Sequence, residues 1–266
     1  MEAGLKGKKA LITGGGTGIG KGIALSLARE GVHIAFATRN AYPETIKEIE
    51  ELGVKAFWIK TDVGKEEEVV KMVDSAINIL SGLDFYINNA ASHWDEPVTK
   101  ITTEGWLNTI NTNLSACIWA CREVSKYFIS QKKGSILIIG STVMYGVLQK
   151  ETSYRISKFG LKSYMESLGV ELAPFDIRVN MIIPGFFVTR MTENLGMAQI
   201  KESIAKSIPL RKPGDPYKDI GPTAVILLSD KLSPYTTCSE IVIDGGARVN
   251  HGSIYSEDEI INMNLG

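Results

Sequence analysis

A doubly wound α/β fold, with a seven-stranded parallel sheet and helices on both of its faces, is what this 266-residue sequence predicts. Seven short apolar runs recur along the chain without the strict alternation of a half-exposed strand, which suits strands covered on both sides. Helical patterns separate the runs, as the crossovers of a parallel sheet require. A glycine cluster, TGGGTGIG at 13–20, joins the first run to the first helical pattern.

In chain order the strands are expected at 9–13, 33–38, 55–60, 84–88, 135–139, 178–183 and 240–243. Helices are expected at 18–31, 43–53, 65–80, 102–130, 153–172 and 216–228. No linker, composition shift, internal repeat or low-complexity stretch divides the chain, so residues 1–266 read as a single domain. Two stretches break the rhythm. Residues 186–209 are longer than an ordinary strand-to-helix connection and read as a lid. Residues 247–266 carry SEDE and read as a C-terminal tail, packed on the surface or on a neighbouring subunit, or solvated.

Charge narrows the function. With 29 basic against 30 acidic side chains, nothing favours a polyanion, so no nucleic-acid partner is expected and small-molecule chemistry is the better reading. No apolar run reaches the roughly 18 to 20 residues of a membrane helix, and the amino end passes into a strand without a signal-peptide pattern. A cytoplasmic protein with no membrane partner is expected. Cys117, Cys121 and Cys238 are too few and too oddly placed for a disulfide framework, and the pair on one helix face reads as packing. His33, His93 and His251 form no ligand spacing with that pair, so no metal is expected.

The glycine cluster points to a dinucleotide. Gly14 allows a tight turn, Gly18 lets backbone amides near Thr17 and Ile19 approach a pyrophosphate, and Gly20 lets the helix pack close to the strand. The helix then offers its positive end to the phosphates. The second strand ends at Thr38, followed by Arg39 and Asn40, where an acid would meet a free ribose hydroxyl and an arginine a 2'-phosphate. NADP(H) is favoured over NAD(H); the alternative is that Arg39 is a solvated loop residue.

The stretch 140–158, GSTVMYGVLQKETSYRISK, brings a hydroxyl at Ser141, a phenol at Tyr154 and an ammonium at Lys158. On a helix, residues four apart share a face with their side-chain bases about 5 to 6 Å apart. A nearby cation favours the phenolate, which makes Tyr154 a candidate general acid and base. Ser141 falls just past a strand's carboxyl end, where open α/β sheets place ligands.

These motifs resemble the short-chain dehydrogenase/reductase family, from about residue 8 to 246. TGGGTGIG is similar to its TGxxxGxG loop and YRISK to its YxxxK, with Ser141 thirteen residues before the tyrosine. Asn113 in NTNLS, the run IRVNMIIPGFFVT and the closing IVIDGG also match. Two positions depart from the pattern: NNAG becomes Asn88-Asn89-Ala90-Ala91, and the Thr-Gly before the last strand becomes Thr237-Cys238.

The resemblance implies a Rossmann-type fold, a homotetramer built through helices 102–130 and 153–172, and roles for further residues. It implies that Lys158 lowers the phenol's pKa and binds the nicotinamide ribose, and that Asn113 holds a water linking Lys158 to solvent. Asp62 and Val63 would border the adenine, Asn89, Ala90 and Ala91 the ribose side, and Pro184, Gly185 and Thr189 the carboxamide. Candidate substrate-pocket walls are His93, Trp94, Met144, Tyr145, Phe186, Phe187 and Met191, mostly apolar, with His93 not expected to be catalytic. The expected activity is NADP(H)-dependent reduction of a ketone or 3-oxoacyl substrate. The alternatives are an NAD(P)-dependent sugar or alcohol dehydrogenase and a non-catalytic dinucleotide sensor.

Overall fold

A computed structural model describes residues 2–189 and 207–250. Its seven strands are β1 (Lys9–Thr13), β2 (His33–Thr38), β3 (Ala56–Lys60), β4 (Phe85–Asn88), β5 (Gly134–Ile139), β6 (Ile177–Pro184) and β7 (Glu240–Ile243). They pair in parallel throughout, in the order β3-β2-β1-β4-β5-β6-β7. The chain therefore crosses over between β3 and β4, and the sheet changes direction at the β1/β4 pair. In open sheets of this kind the ligand crevice lies at that switch point, beyond the carboxyl ends of the strands.

The helices are α1 (Gly18–Arg29), α2 (Pro43–Glu50), α3 (Glu66–Leu80), α4 (Thr103–Ile110), α5 (Ala116–Gln131), α6 (Thr152–Leu172) and α7 (Gly221–Leu228). Alternate strand residues feed two separate cores. Ala10, Ile12, Ile34, Phe36, Ile87 and Leu137 pack with Ile23, Leu27, Ile49 and Leu228 of α1, α2 and α7. Leu11, Ala35, Tyr86, Ile136 and Val179 face the other way, onto Val73, Val124 and Leu161 of α3, α5 and α6. Full burial of each large apolar side chain contributes roughly 1.5 to 3 kcal/mol.

Local chemistry sets the helix ends. The amino end of α3 carries Glu66, Glu67 and Glu68 against the positive pole of its dipole, and Ser81 stops it in the left-handed region at φ 55°. The last carbonyls of α7 are met by Arg178 of β6, which donates to Leu227 O at 2.6 Å and Leu228 O at 3.1 Å, and pairs with Asp230 at 3.0 Å.

The helix expected at 102–130 is interrupted. Asn111–Ser115 form a wider π-type turn between α4 and α5, because the fully buried Asn113 turns its amide out of the helix to the backbone of Ser92. Likewise the helix expected from 216 begins as a π-type turn, Pro216–Ile220, before α7. Of the expected lid, residues 190–206 lie outside the described residues, as do 251–266 of the expected tail. Phe187 is buried and bridges to Gly214, so the described start of that lid is part of the core. No helix among the described residues is long and apolar enough to cross a membrane.

Candidate active site

The glycine loop lies at the carboxyl end of β1, beside the crevice. A Cβ on Gly20 would sit 2.3 Å from the Gly14 carbonyl oxygen, so the close approach of α1 to the loop requires glycine there. Gly14 itself lies at φ 68°, in the left-handed region. The amino end of α1 has no acidic residue in its first turn, and its N-cap Thr17 makes no side-chain capping bond. Backbone donors and an uncompensated positive pole are what a pyrophosphate needs, so these residues fit a dinucleotide.

Side chains from the neighbouring strands close around the loop. Asn89, just past β4, donates through Nδ2 to Thr13 O at 2.9 Å and Gly14 O at 3.3 Å. The Thr13 hydroxyl accepts from the amides of Asn89 at 2.9 Å and Ala90 at 3.1 Å. From the loop after β6, Thr189 approaches Gly18, whose added Cβ would lie 3.2 Å from its side chain. Pro184 ends β6 and Gly185 packs on Asp244, where a Cβ would overlap at 2.6 Å. Asp62 and Val63 follow β3, with Asp62 Oδ1 accepting from the Gly64 amide at 3.1 Å. Arg39 and Asn40 are exposed at the end of β2, and Arg39 pairs with no acidic side chain among the described residues. Thr38 is engaged locally, its hydroxyl donating to Asn40 O at 2.7 Å and accepting from Trp58 Nε1 at 3.0 Å.

Ser141, Tyr154 and Lys158 come together at the carboxyl end of β5. Ser141 begins a short 3-10 turn, its hydroxyl accepting from the Val143 amide at 3.3 Å and also engaging the Tyr154 phenol. Lys158, one turn beyond Tyr154 on α6, is buried and directs Nζ to the carbonyl of Ile139 at 3.0 Å, with Nζ 5.5 Å from the Tyr154 ring centroid. Asn113 reaches the same turn of α6: its Nδ2 donates to Ser157 Oγ at 3.0 Å, and Ser157 donates to the Tyr154 carbonyl at 2.7 Å.

The electrostatics differ from the sequence expectation. Burial pushes the phenol up to about 12, with the Glu151 carboxylate adding to the rise and the Ser141 hydroxyl opposing it. Burial also brings the Lys158 ammonium down to about 8. Desolvation of the buried phenolate thus opposes the lowering expected from Lys158, whose ammonium is turned toward a backbone carbonyl. The bonds of Asn113 limit how it could hold the expected water. Both of its amide donors are taken, by Ser92 O and Ser157, which leaves a water only an acceptor position on that side chain.

The expected pocket walls divide. Met144 and Phe187 are buried, one in each of the two cores. Tyr145 is held away by its hydroxyl, which donates to Glu240 at 2.7 Å, and Arg248 stacks on its ring at 4.9 Å. Trp94 packs on Gly105. Met191 lies outside the described residues. His93 meets the reacting group, with its ring edge-on to Tyr154 at 4.9 Å between centroids.

His93, Asp95 and Glu151 could also be read as a metal-ligand set, since their ligand atoms lie within 4.8 Å of one another. The geometry opposes that reading. Nε2 faces Glu151 at 3.2 Å while Nδ1 faces Asp95 at 3.4 Å, so the two carboxylates meet opposite ring nitrogens and one ion cannot take all three. Ser92, Ser157, Glu151 and Arg178 were not singled out from the sequence. The spacing of Glu151 three residues before Tyr154, one helical turn away, was the available signal for that residue.

Known proteins resemble this chain over most of its length. A family model described as enoyl-(acyl carrier protein) reductase matches residues 14–248. The 3-oxoacyl-(acyl-carrier-protein) reductase of Chlamydia pneumoniae is 32% identical over 248 residues, spanning 92% of this chain and 99% of that one. Among solved structures, a short-chain type dehydrogenase/reductase from Mycobacterium marinum is 31% identical with a TM-score of 0.86, covering 92% of this chain and 97% of its own. The NADPH-dependent 3-quinuclidinone reductase of Rhodotorula rubra is 29% identical with a TM-score of 0.85, covering 92% and 93%.

Proposed function

Since the chain belongs to the short-chain dehydrogenase/reductase family, and is thereby an NAD(P)-dependent oxidoreductase acting on a small molecule, we propose that it reduces a ketone of the 3-oxoacyl thioester class with NADPH. One observation carries the reading: a serine hydroxyl, a phenol and a buried ammonium converge at the end of β5, across the crevice from a glycine loop fit for a dinucleotide.

A bound nicotinamide would supply the hydride for the carbonyl carbon. Tyr154 gives its proton to the substrate oxygen as that atom gains charge, and Ser141 hydrogen-bonds the same oxygen. Lys158 serves the ribose hydroxyls and the phenol. Asn113, through Ser157, fixes the turn of α6 that presents Tyr154. Gly14, Thr17, Gly18, Ile19 and Gly20 receive the pyrophosphate, Asp62 and Val63 flank the adenine, and Asn89, Ala90 and Ala91 border the ribose. Pro184, Gly185 and Thr189 hold the carboxamide end. NADP(H) is preferred over NAD(H) because an exposed Arg39, with no acid at Thr38, suits a 2'-phosphate; the fungal 3-quinuclidinone reductase above is likewise NADPH-dependent.

A homotetramer in the cytoplasm completes the proposal. Exposed Ile156 and Phe159 of α6 border an apolar groove of about 730 Å³ that also takes in Leu114, Val147 and Leu148, a surface suited to a second copy.

The deciding experiment follows reduced-nicotinamide absorbance with a panel of 3-oxoacyl thioesters and ketones. Tyr154→Phe is expected to lower turnover by about 100- to 10,000-fold while NADPH still binds. Nucleotide binding without turnover anywhere on the panel would refute the reading in favour of a sensor.

A further inference from the structure

Glu151, His93 and Asp95 stand beside the proposed proton donor, and the chemistry above leaves them without a role. Glu151 lies immediately before α6, and its Oε1 faces His93 Nε2 at 3.2 Å. The other carboxylate oxygen, Oε2, is buried and accepts no hydrogen bond among the described residues. His93 Nδ1 faces Asp95 at 3.4 Å, and the ring meets that of Tyr154 at 87°. An imidazole with a carboxylate at each nitrogen is arranged to donate from both, which only its charged form can do. Hydrogen bonding to Glu151 accordingly raises the His93 pKa above its ordinary value.

Resting on the reading of Tyr154 as proton donor, we propose that Glu151 is a positioning residue that sets the pH at which Tyr154 exchanges its proton, and that protonated His93, held by Asp95, offsets it. A carboxylate this near disfavours the phenolate, so Glu151 keeps the proton on Tyr154. When His93 gains its own proton, the pair approaches neutrality and that influence fades.

Other charged and titratable groups among the described residues around the cluster are engaged elsewhere. Lys158, with Nζ 5.5 Å from the Tyr154 ring centroid, is bonded to Ile139 O and faces Cys117 of α5. Arg155, next to Tyr154 on α6, donates to Met144 O at 3.2 Å. Lys150 and Glu96 flank the two loops, the Glu96 amide donating to the Lys150 carbonyl at 3.1 Å.

The test is a set of pH–rate profiles in both directions for the wild type, Glu151→Gln, Glu151→Asp, His93→Gln and the double variant His93→Gln/Glu151→Gln. In Glu151→Gln, the alkaline fall of the reduction and the rise of the oxidation are both expected to move down by about half a pH unit or more. Glu151→Asp should keep the wild-type midpoint. His93→Gln should slow the oxidation only on the acid side, where the wild-type imidazole is charged, and the double variant should match Glu151→Gln on the alkaline side and fall below it only where the imidazole of the single variant is charged. Carbon NMR of ring-labelled tyrosine, with Tyr154 assigned by its Phe variant, reads the same shift without turnover. That readout separates failure of this inference from failure of the proposed activity. A Glu151→Gln protein that melts normally, with an unmoved midpoint and only a uniform change in kcat or KM, would overturn it.

Discussion

Replacing Lys158 by methionine should make the cofactor-free protein more stable at neutral pH while removing its activity. The side chain is 3% exposed, and burial brings its ammonium from 10.5 down to about 8. Holding that proton in the folded chain at neutral pH therefore costs on the order of 3 kcal/mol relative to the unfolded chain. One hydrogen bond, to the Ile139 carbonyl at 3.0 Å, offsets about 1 kcal/mol of this. The variant should gain ~2 kcal/mol, which corresponds to roughly 4 to 8 °C in Tm for a chain of this size. The sign can be checked against pH. Between about 8 and 10.5 the unfolded lysine keeps its proton and the folded one does not, so wild-type stability climbs with pH through that interval. The variant's advantage should be full below it and vanish above it. The Tyr154 phenol, pushed up to about 12, is common to both proteins. Urea denaturation without cofactor, near neutral pH and again near pH 10.5, measures the difference. A variant less stable than wild type at neutral pH, or a difference that ignores pH, would refute the reasoning.

Arg39→Ala is expected to weaken NADPH binding by about tenfold or more and to leave NADH binding unchanged; an unchanged preference, by titration with each cofactor, would place 2'-phosphate recognition elsewhere. Arg178→Met removes a 6% exposed guanidinium from the carbonyls that end α7 and from Asp230. It should cost about 2 to 4 kcal/mol in urea denaturation, since two helix-end carbonyls lose their donor while Asp230 keeps Lys133, with turnover per folded molecule retained.

What the sequence reveals follows the range of the interactions involved. β1, β2 and β7 fall on their expected bounds and the other strands within a residue at each end, because strands buried on both faces leave a continuous apolar run. The Ser141, Tyr154 and Lys158 grouping was legible because one loop and one helix turn carry it. The break at Asn111–Ser115 was not, since it depends on Ser92, twenty-one residues before Asn113. The elevated phenol was missed for a related reason: spacing discloses a neighbouring cation but not the depth of burial, and burial prevails at Tyr154. His93 could be placed near the pocket, whereas its bond to Glu151 joins two loops 58 residues apart in the chain. One family departure has a visible accommodation. Cys238 holds a left-handed φ of 54°, where the family has glycine, and its sulfur fills space left by the missing side chain of Gly169.

The clasp between Asn89 and the end of β1 has a thermodynamic consequence. It joins the two strands on either side of the sheet's switch point through both amide hydrogens of one side chain and both neighbouring backbone amides received by one hydroxyl. The mouth of the crevice is thus fastened before any guest arrives, and little chain entropy is left to lose on that side. Coenzyme capture there should resemble docking into a rigid slot, with a small ordering cost and an affinity governed by contacts rather than by loop closure.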